Sequence, residues 1–298
     1  MNRKNTVLAL INVTIWGTLA TTAKLLLSSI PNLEMLGVSS IFSVLFLLIL
    51  NGATGKLGLM KTYSLRDYLV MAGLGFLGMF LYTALYYYGL ARLTSQEACI
   101  LNYLWPMMIM LFSALILKER LTFGKVAAML CSFAGIIILT GRGLSGAGEG
   151  KLLGAAACVL AAASYGLYAV LNKKLNMDQN ITMLVIWTVV VVCSFILGPI
   201  TEDWVRIEGV QWLGMLWMGV VVDALTYLVW AIVLNRAENT ARIANIAYLV
   251  PFLSVLISWL VLGEQITARA FLALIFIVGG ILLQNFLPEK EAPAHEDV

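Results

Sequence analysis

One stretch of this chain occurs twice. The first copy runs from Leu90 to Gly141 and holds Ala98-Cys-Ile-Leu-Asn-Tyr-Leu-Trp-Pro106, then Leu117-Lys-Glu-Arg-Leu-Thr122. The second runs from Asn235 to Phe286 and holds Ile243-Ala-Asn-Ile-Ala-Tyr-Leu-Val-Pro251, then Leu262-Gly-Glu-Gln-Ile-Thr267. One constant offset lays Tyr103 on Tyr248, Pro106 on Pro251, Glu119 on Glu264, Thr122 on Thr267 and Gly135 on Gly280. Residues that punctuate a chain do not coincide this way by chance, so the sequence reads as an internal duplication. Whatever it folds into must be built from two similar halves.

The solvent of those halves follows from composition. Of 298 residues, 61% are hydrophobic and only 12% charged, against about 25% charged in soluble domains. A helix that crosses hydrocarbon needs roughly 20 apolar residues, and almost the whole chain divides into such runs. The runs predict helices at Thr6–Ser28, Leu33–Asn51, Asp67–Ala91, Ser95–Leu117 and Phe123–Gly141, then Lys151–Leu175, Ile181–Ile200, Val210–Leu234, Thr240–Leu262 and Ala268–Leu287. Although Met1 to Leu19 resembles a signal peptide, another apolar run follows it, so the first helix is read as uncleaved. The glycine-rich Gly141–Gly150 lacks the spacing of a phosphate-binding loop and is read as a linker.

The expected fold is therefore an all-α membrane protein of ten transmembrane helices, with a first repeat at 1–143, a linker at 144–150 and a second repeat at 151–287. Residues 288–298 are expected to form a disordered cytoplasmic tail. With the N-terminus inside, Arg3, Lys4, Lys56, Lys61, Arg66, Lys118, Arg120, Lys125, Lys173, Lys174, Arg236, Arg242 and Lys290 fall on the inner side, and far fewer basic residues fall outside. That bias places both termini in the cytoplasm of a cell whose inner membrane holds the chain. An odd number of helices per half makes the repeats inverted. Inverted repeats are frequent in secondary transporters, whose sites lie near the bilayer midplane where the halves meet.

Several chemistries are excluded. A net charge of +3 is too small to mark a nucleic-acid partner. The one histidine, His295, lies in the tail, and the four cysteines lack metal-ligand spacing, so neither a metal nor a cofactor is expected. The aspartate pairs, zinc motifs and serine–histidine arrangements of intramembrane enzymes are missing as well. The expected partners are a small-molecule substrate and the lipid bilayer.

The repeated proline, the Leu-x-Glu-x-Leu/Ile-Thr endings, and the pairing of Trp16-Gly17…Lys24 with Tyr165-Gly166…Lys173 resemble the EamA-type members of the drug/metabolite transporter superfamily. Within that group, Asn102-Tyr-Leu-Trp-Pro106 resembles the YddG-type aromatic amino acid exporters. The resemblance implies a central cavity lined by aromatic side chains of the third, fourth and sixth helices. Tyr82, Tyr86, Tyr103, Trp105 and Pro106 match it, and Tyr165 stands where those exporters carry a tryptophan.

Residue chemistry adds its own candidates. A proline within a helix removes one N–H and frees the carbonyl four residues back. Pro106 and Pro251 should free Asn102 and Ala247 respectively, giving either a gate or a packing kink. Tyr82 and Tyr86 share a face with Gly78, suiting either a cavity or an interface belt, and Tyr103 and Trp105 lie just before the kink. Tyr248 repeats Tyr103. Asp223 sits mid-helix, where a carboxylate costs about 2.5–3.5 kcal/mol on insertion scales. Tyr227 and Trp230 share its face, a stripe suited to an ammonium group, and Asp223 is also a candidate proton carrier. The alternative is a structural carboxyl bonded to a neighbouring helix. Lys24 and Lys173 either snorkel to headgroups or meet a carboxylate at the cavity mouth. Glu119 and Glu264 are expected to order the loop and the Thr-capped helix that follows. Gly154, Cys158, Ala162 and Gly166 form a packing stripe.

The leading functional expectation is a secondary transporter exporting small amino acids, aromatic ones favoured, by alternating access. The runners-up are a transporter of quaternary or aromatic cations and a non-transporting scaffold or receptor.

Overall fold

A computed structural model describes residues 3–118, 123–144, 149–172, 177–235 and 245–286. The described residues are helical and contain no strand. Helix α1 is Arg3–Leu27 and α2 is Asn32–Ala53, followed by a 3-10 turn at Lys56–Thr62. Helix α3 is Leu65–Arg92. Helices α4, Ser95–Asn102, and α5, Trp105–Ile116, form one interrupted rod. Helices α6, Phe123–Leu144, and α7, Glu149–Asn172, enter the expected linker from both sides. Helix α8 is Gln179–Thr201, and α9 covers 211–235. A 3-10 segment at Asn245–Leu249 leads into α10, Val250–Leu262, and α11 is Ala268–Phe286. Seven of these stretches are long and apolar enough to cross a membrane, which makes this a multi-pass membrane protein. Glu119, the expected linker's centre (145–148), Lys173 and the expected tail lie outside the described residues.

The starts of the helices are written locally. Ser64 and Thr94 each accept an amide three residues on, while Asp67 and Glu97 reach back to the cap amides. These are capping boxes. Asp178 caps α8 through the amides of Asn180 and Ile181, and the Thr267 hydroxyl accepts the Ala270 amide at the start of α11. The helix endings repeat too. Lys118 after α5 and Gly263 after α10 occupy equivalent positions in the two copies, and both have left-handed backbones, with φ of 56° and 67°.

One expectation is corrected. The runs Ser95–Leu117 and Thr240–Leu262 predicted helices kinked in their interiors by proline. Instead, the first helix stops at Asn102, turns through Tyr103 and Leu104, and restarts at Trp105. In the second copy the α-helix begins only at Val250, after the 3-10 segment Asn245–Leu249. Each proline then sits in the first turn of a new segment, where its missing N–H has no helical partner to lose.

The halves interlock through equivalent contacts. Gly17 of α1 faces α10, where an added Cβ would stand 2.9 Å from Leu253 Cβ. Gly166 of α7 faces α5, with Met108 Cβ at 2.5 Å from the corresponding point. The first helix of each repeat thus packs, at a glycine, on the proline-bearing helix of the other. Helices α2 and α8, and α6 and α11, form two further pairs across the halves. The Gly154–Cys158–Ala162–Gly166 stripe carries α7 against α3 and α5.

Candidate functional site

Where the two halves meet they form a cavity of about 470 Å³. Its walls come from α1, α3, the α4–α5 break, α7, α8, α9, the 3-10 segment and the start of α10. Two departures from regular helix shape it. Helices α3 and α9 contain π-helical stretches, Phe76–Leu81 and Trp217–Leu225. The repeat offset lays Phe76 on Val221, so the two stretches are counterparts. A π turn widens the helix and re-aims the side chains around it, a feature frequent at functional sites. Tyr82 directly follows the first stretch, Asp223 lies inside the second, and Tyr227 follows two residues after it.

The cavity gathers the aromatic residues singled out from sequence. Tyr82, Tyr86, Tyr103, Trp105 and Tyr165 line it from the first repeat and α7, and Asp223, Tyr227, Trp230 and Tyr248 line it from the second. Their rings form a chain: Tyr82 lies 5.1 Å from Tyr165, Trp105 5.5 Å from Tyr165, and Tyr103 5.9 Å from Trp105. A second cluster has Trp16 at 5.7 Å from Tyr227 and 5.3 Å from Trp230. The pairs Tyr82–Tyr165 and Tyr227–Trp16 are repeat equivalents, so the cavity carries the same aromatic pair twice.

The polar groups break that symmetry. Asp223 is 6% exposed, and its Oδ2 has no hydrogen-bond partner. The Asn102 amide donates to the Tyr82 hydroxyl at 3.0 Å, leaving its own Oδ1 unpaired. Trp187 of α8 is 2% exposed, and its indole N–H is unpaired too. Gly78, the counterpart of Asp223, faces the Tyr168 ring rather than open space. The Ala247 carbonyl, in the 3-10 segment ahead of Pro251, accepts the Tyr103 hydroxyl at 2.6 Å. Among the described residues no lysine or arginine lines the cavity, and Asp223 is its one carboxylate.

The remaining candidates sit elsewhere. Pro106 forms part of the wall, whereas Pro251 is buried behind it. Lys24 is away from the cavity lining; its ammonium donates to the main-chain carbonyls of Leu90, at 2.6 Å, and Leu93, at the end of α3. Lys173 lies outside the described residues. Sequence reasoning missed Trp16, Asn102 and Trp187 as lining residues. Trp16 had a usable signal, its pairing with Tyr165. Trp187 had none, since a tryptophan in an apolar run reads equally as lipid-facing.

The EamA-like transporter family matches residues 4–141 and again 152–286. The chain belongs to that family. It is 28% identical over 290 residues to the uncharacterized transporter YoaV of Bacillus subtilis (94% of this chain, 96% of that one). It is 28% identical over 219 residues to the aromatic amino acid exporter YddG of Ancylobacter novellus (72% and 75%). It is 27% identical over 303 residues to a probable amino-acid metabolite efflux pump of Escherichia coli (96% of each). A solved crystal structure shares the fold with a TM-score of 0.70 at 22% identity, over 97% of this chain and 100% of that one. An EamA-type chain with exporters among its relatives is a small-molecule transporter of the membrane.

Proposed function

We propose that this transporter exports amino acids, aromatic ones favoured, by alternating access about the central cavity. The observation that carries the reading is Asp223, a carboxylate buried within α9 with an unpaired oxygen in a cavity walled by aromatic rings. A buried polar group left unpaired costs free energy, so a ligand that pairs it binds selectively. The substrate ammonium would meet Asp223 beside Trp16, Tyr227 and Trp230. The substrate carboxylate would meet the unpaired indole N–H of Trp187. An aromatic side chain would lie among Tyr82, Trp105 and Tyr165. A cavity of about 470 Å³ is within the usual range for small-molecule sites, roughly 300–1,000 Å³.

In this reading ten helices span the inner membrane as two inverted repeats, and both termini are cytoplasmic. No nucleotide motif is present, so gradients drive transport, with Asp223 as the candidate proton carrier. The relatives named as an aromatic amino acid exporter and an amino-acid efflux pump support the substrate class.

A second reading is transport of an aromatic or quaternary cation. It is favoured by a cavity that holds one carboxylate and, among its described lining residues, no cationic side chain. Counterflow in proteoliposomes separates the two: labelled phenylalanine enters vesicles preloaded with unlabelled phenylalanine, challenged by tryptophan, threonine and choline. Competition by tryptophan but not choline is the expected result. Absence of phenylalanine exchange, with choline or another aromatic cation exchanging instead, would overturn the amino acid reading in favour of the second.

A further inference from the structure

Beyond the cavity, at the end of the bundle where α1 and α10 finish, buried polar groups join elements from both halves. Ser254 lines the cavity. One turn further along α10, the Ser258 hydroxyl donates to the Ser254 carbonyl at 2.8 Å and contacts the hydroxyls of Thr21 on α1, at 3.1 Å, and Ser95 on α4. After α10 comes Glu264. Its carboxylate accepts the Ser95 amide at 2.7 Å, the Ser95 hydroxyl at 3.1 Å and the Gln96 amide at 3.2 Å. The Gln96 side chain returns a bond to the Glu264 carbonyl at 3.1 Å. Ser95 and Ser258 are fully buried, and Gln96 is 2% exposed. Beside them, Lys24 of α1 clamps the carbonyls that end α3.

Glu264 was expected to order its own loop and the helix after it. Instead it caps a helix of the opposite repeat, while Thr267 alone caps the helix that follows. A carboxylate on the first amides of a helix gains both hydrogen bonds and the favourable end of the helix dipole. These bonds tie the second repeat to the first on the side of the cavity where α1 and α10 end.

We infer that Glu264, with Ser95, Gln96 and Ser258, is a latch that holds this side closed and must release for the cavity to open there. The inference rests on the alternating-access reading, because only a transporter that opens at this end needs the latch to break. Cavity residues Ser254 and Cys99 lie one turn below it, so its release would expose them first. Glu264 acts here as a positioning residue and touches no substrate.

Cys99 is a built-in reporter, since it lines the cavity and is 7% exposed. With Cys131, Cys158 and Cys193 replaced by alanine, Cys99 is labelled by a membrane-impermeant maleimide applied to sided vesicles from the Glu264 end. Labelling in the wild-type latch should be slow, and Glu264→Ala should accelerate it by about tenfold or more, given the usual strength of hydrogen bonds to a charged group. Glu264→Gln, which keeps an acceptor, should fall between. Ser258→Ala, a smaller change, should accelerate labelling as well and guards against misfolding of the first variant. Equal labelling rates in wild type and in a Ser258→Ala or Glu264→Ala protein of unchanged melting temperature would overturn the latch. The labelling needs no substrate. Loss of all counterflow in the wild type, with labelling still accelerated in the variants, would therefore count against the substrate reading and leave the latch intact.

Discussion

The Tyr103 hydroxyl, at the break between α4 and α5, donates at 2.6 Å to the Ala247 carbonyl just before α10. Tyr103 stands where α4 gives way to α5, and Ala247 stands in the 3-10 segment that gives way to α10, so the bond joins matching segments of the two repeats. It also ties down the main chain of the 3-10 segment just ahead of Pro251. Tyr103→Phe keeps the ring and its contact with Trp105 while removing the bond between the two segments. Loss of one such bond costs about 0.5–1.5 kcal/mol. The variant should show a lower melting temperature in detergent and slower exchange, and an unchanged melting temperature would show that water or substrate satisfies the carbonyl instead.

Asp223 sets stability against function. Its Oδ2 is buried without a partner, and a carboxylate at mid-membrane costs about 2.5–3.5 kcal/mol on insertion scales. Asp223→Asn removes the charge and keeps the shape. The variant should melt at a higher temperature and lose counterflow, together with any pH dependence of the transport rate. A variant that melts lower, with transport and its pH dependence intact, would show that Asp223 is a structural carboxyl.

What the sequence could disclose depended on whether its signal was local. Repetition, apolar run length and capping boxes are local, so the helical plan was legible. Asp223 and Tyr82 were legible as candidates because a polar group in an apolar run needs a reason. The position of Trp187 was not, because its direction depends on how α8 packs. The π turns of α3 and α9 left no mark of their own: Phe76–Leu81 is ordinary apolar sequence, and Asp223 within Trp217–Leu225 marks a buried charge rather than a change of helix type. Proline announced a disturbance near Pro106 and Pro251. Whether that meant a kink or a full restart was decided by tertiary contacts such as Tyr103 to Ala247. Glu264 was misread because the partner it caps comes from the other half of the chain.

The glycine contacts can be ranked. A methyl added at Gly166 would stand 2.5 Å from Met108 Cβ and 3.0 Å from the Ile109 amide nitrogen, whereas one at Gly17 would meet Leu253 Cβ at 2.9 Å. Overpacking of this kind typically costs 1–3 kcal/mol. Gly166→Ala should therefore lower the melting temperature more than Gly17→Ala, because a main-chain atom cannot yield as a side chain can. The reverse order would mean that α5 slides more freely against α7 than α10 does against α1.

Outside the membrane-spanning segments, Asp178 predicts how stability responds to acid. Its Oδ2 pairs with Lys56 at 2.8 Å, and its Oδ1 caps α8. Partial burial acts to raise its pKa, but the Lys56 ammonium and the two amides outweigh burial and hold the carboxyl below the usual aspartate range. A depressed pKa in the folded state means that the charged form stabilises the fold. That contribution is complete above the unfolded value of about 3.9 and is lost as pH falls through the lower folded value. Asp178→Asn keeps a capping oxygen and removes the charge. It should melt below the wild type at neutral pH, and the two melting curves should converge as the pH drops below about 4. Asp178→Ala, which loses the cap as well, should cost a further 0.5–2 kcal/mol or so and stay below both at every pH. Parallel wild-type and Asp178→Asn curves down to acid pH would show that the Lys56 pair adds nothing to the fold.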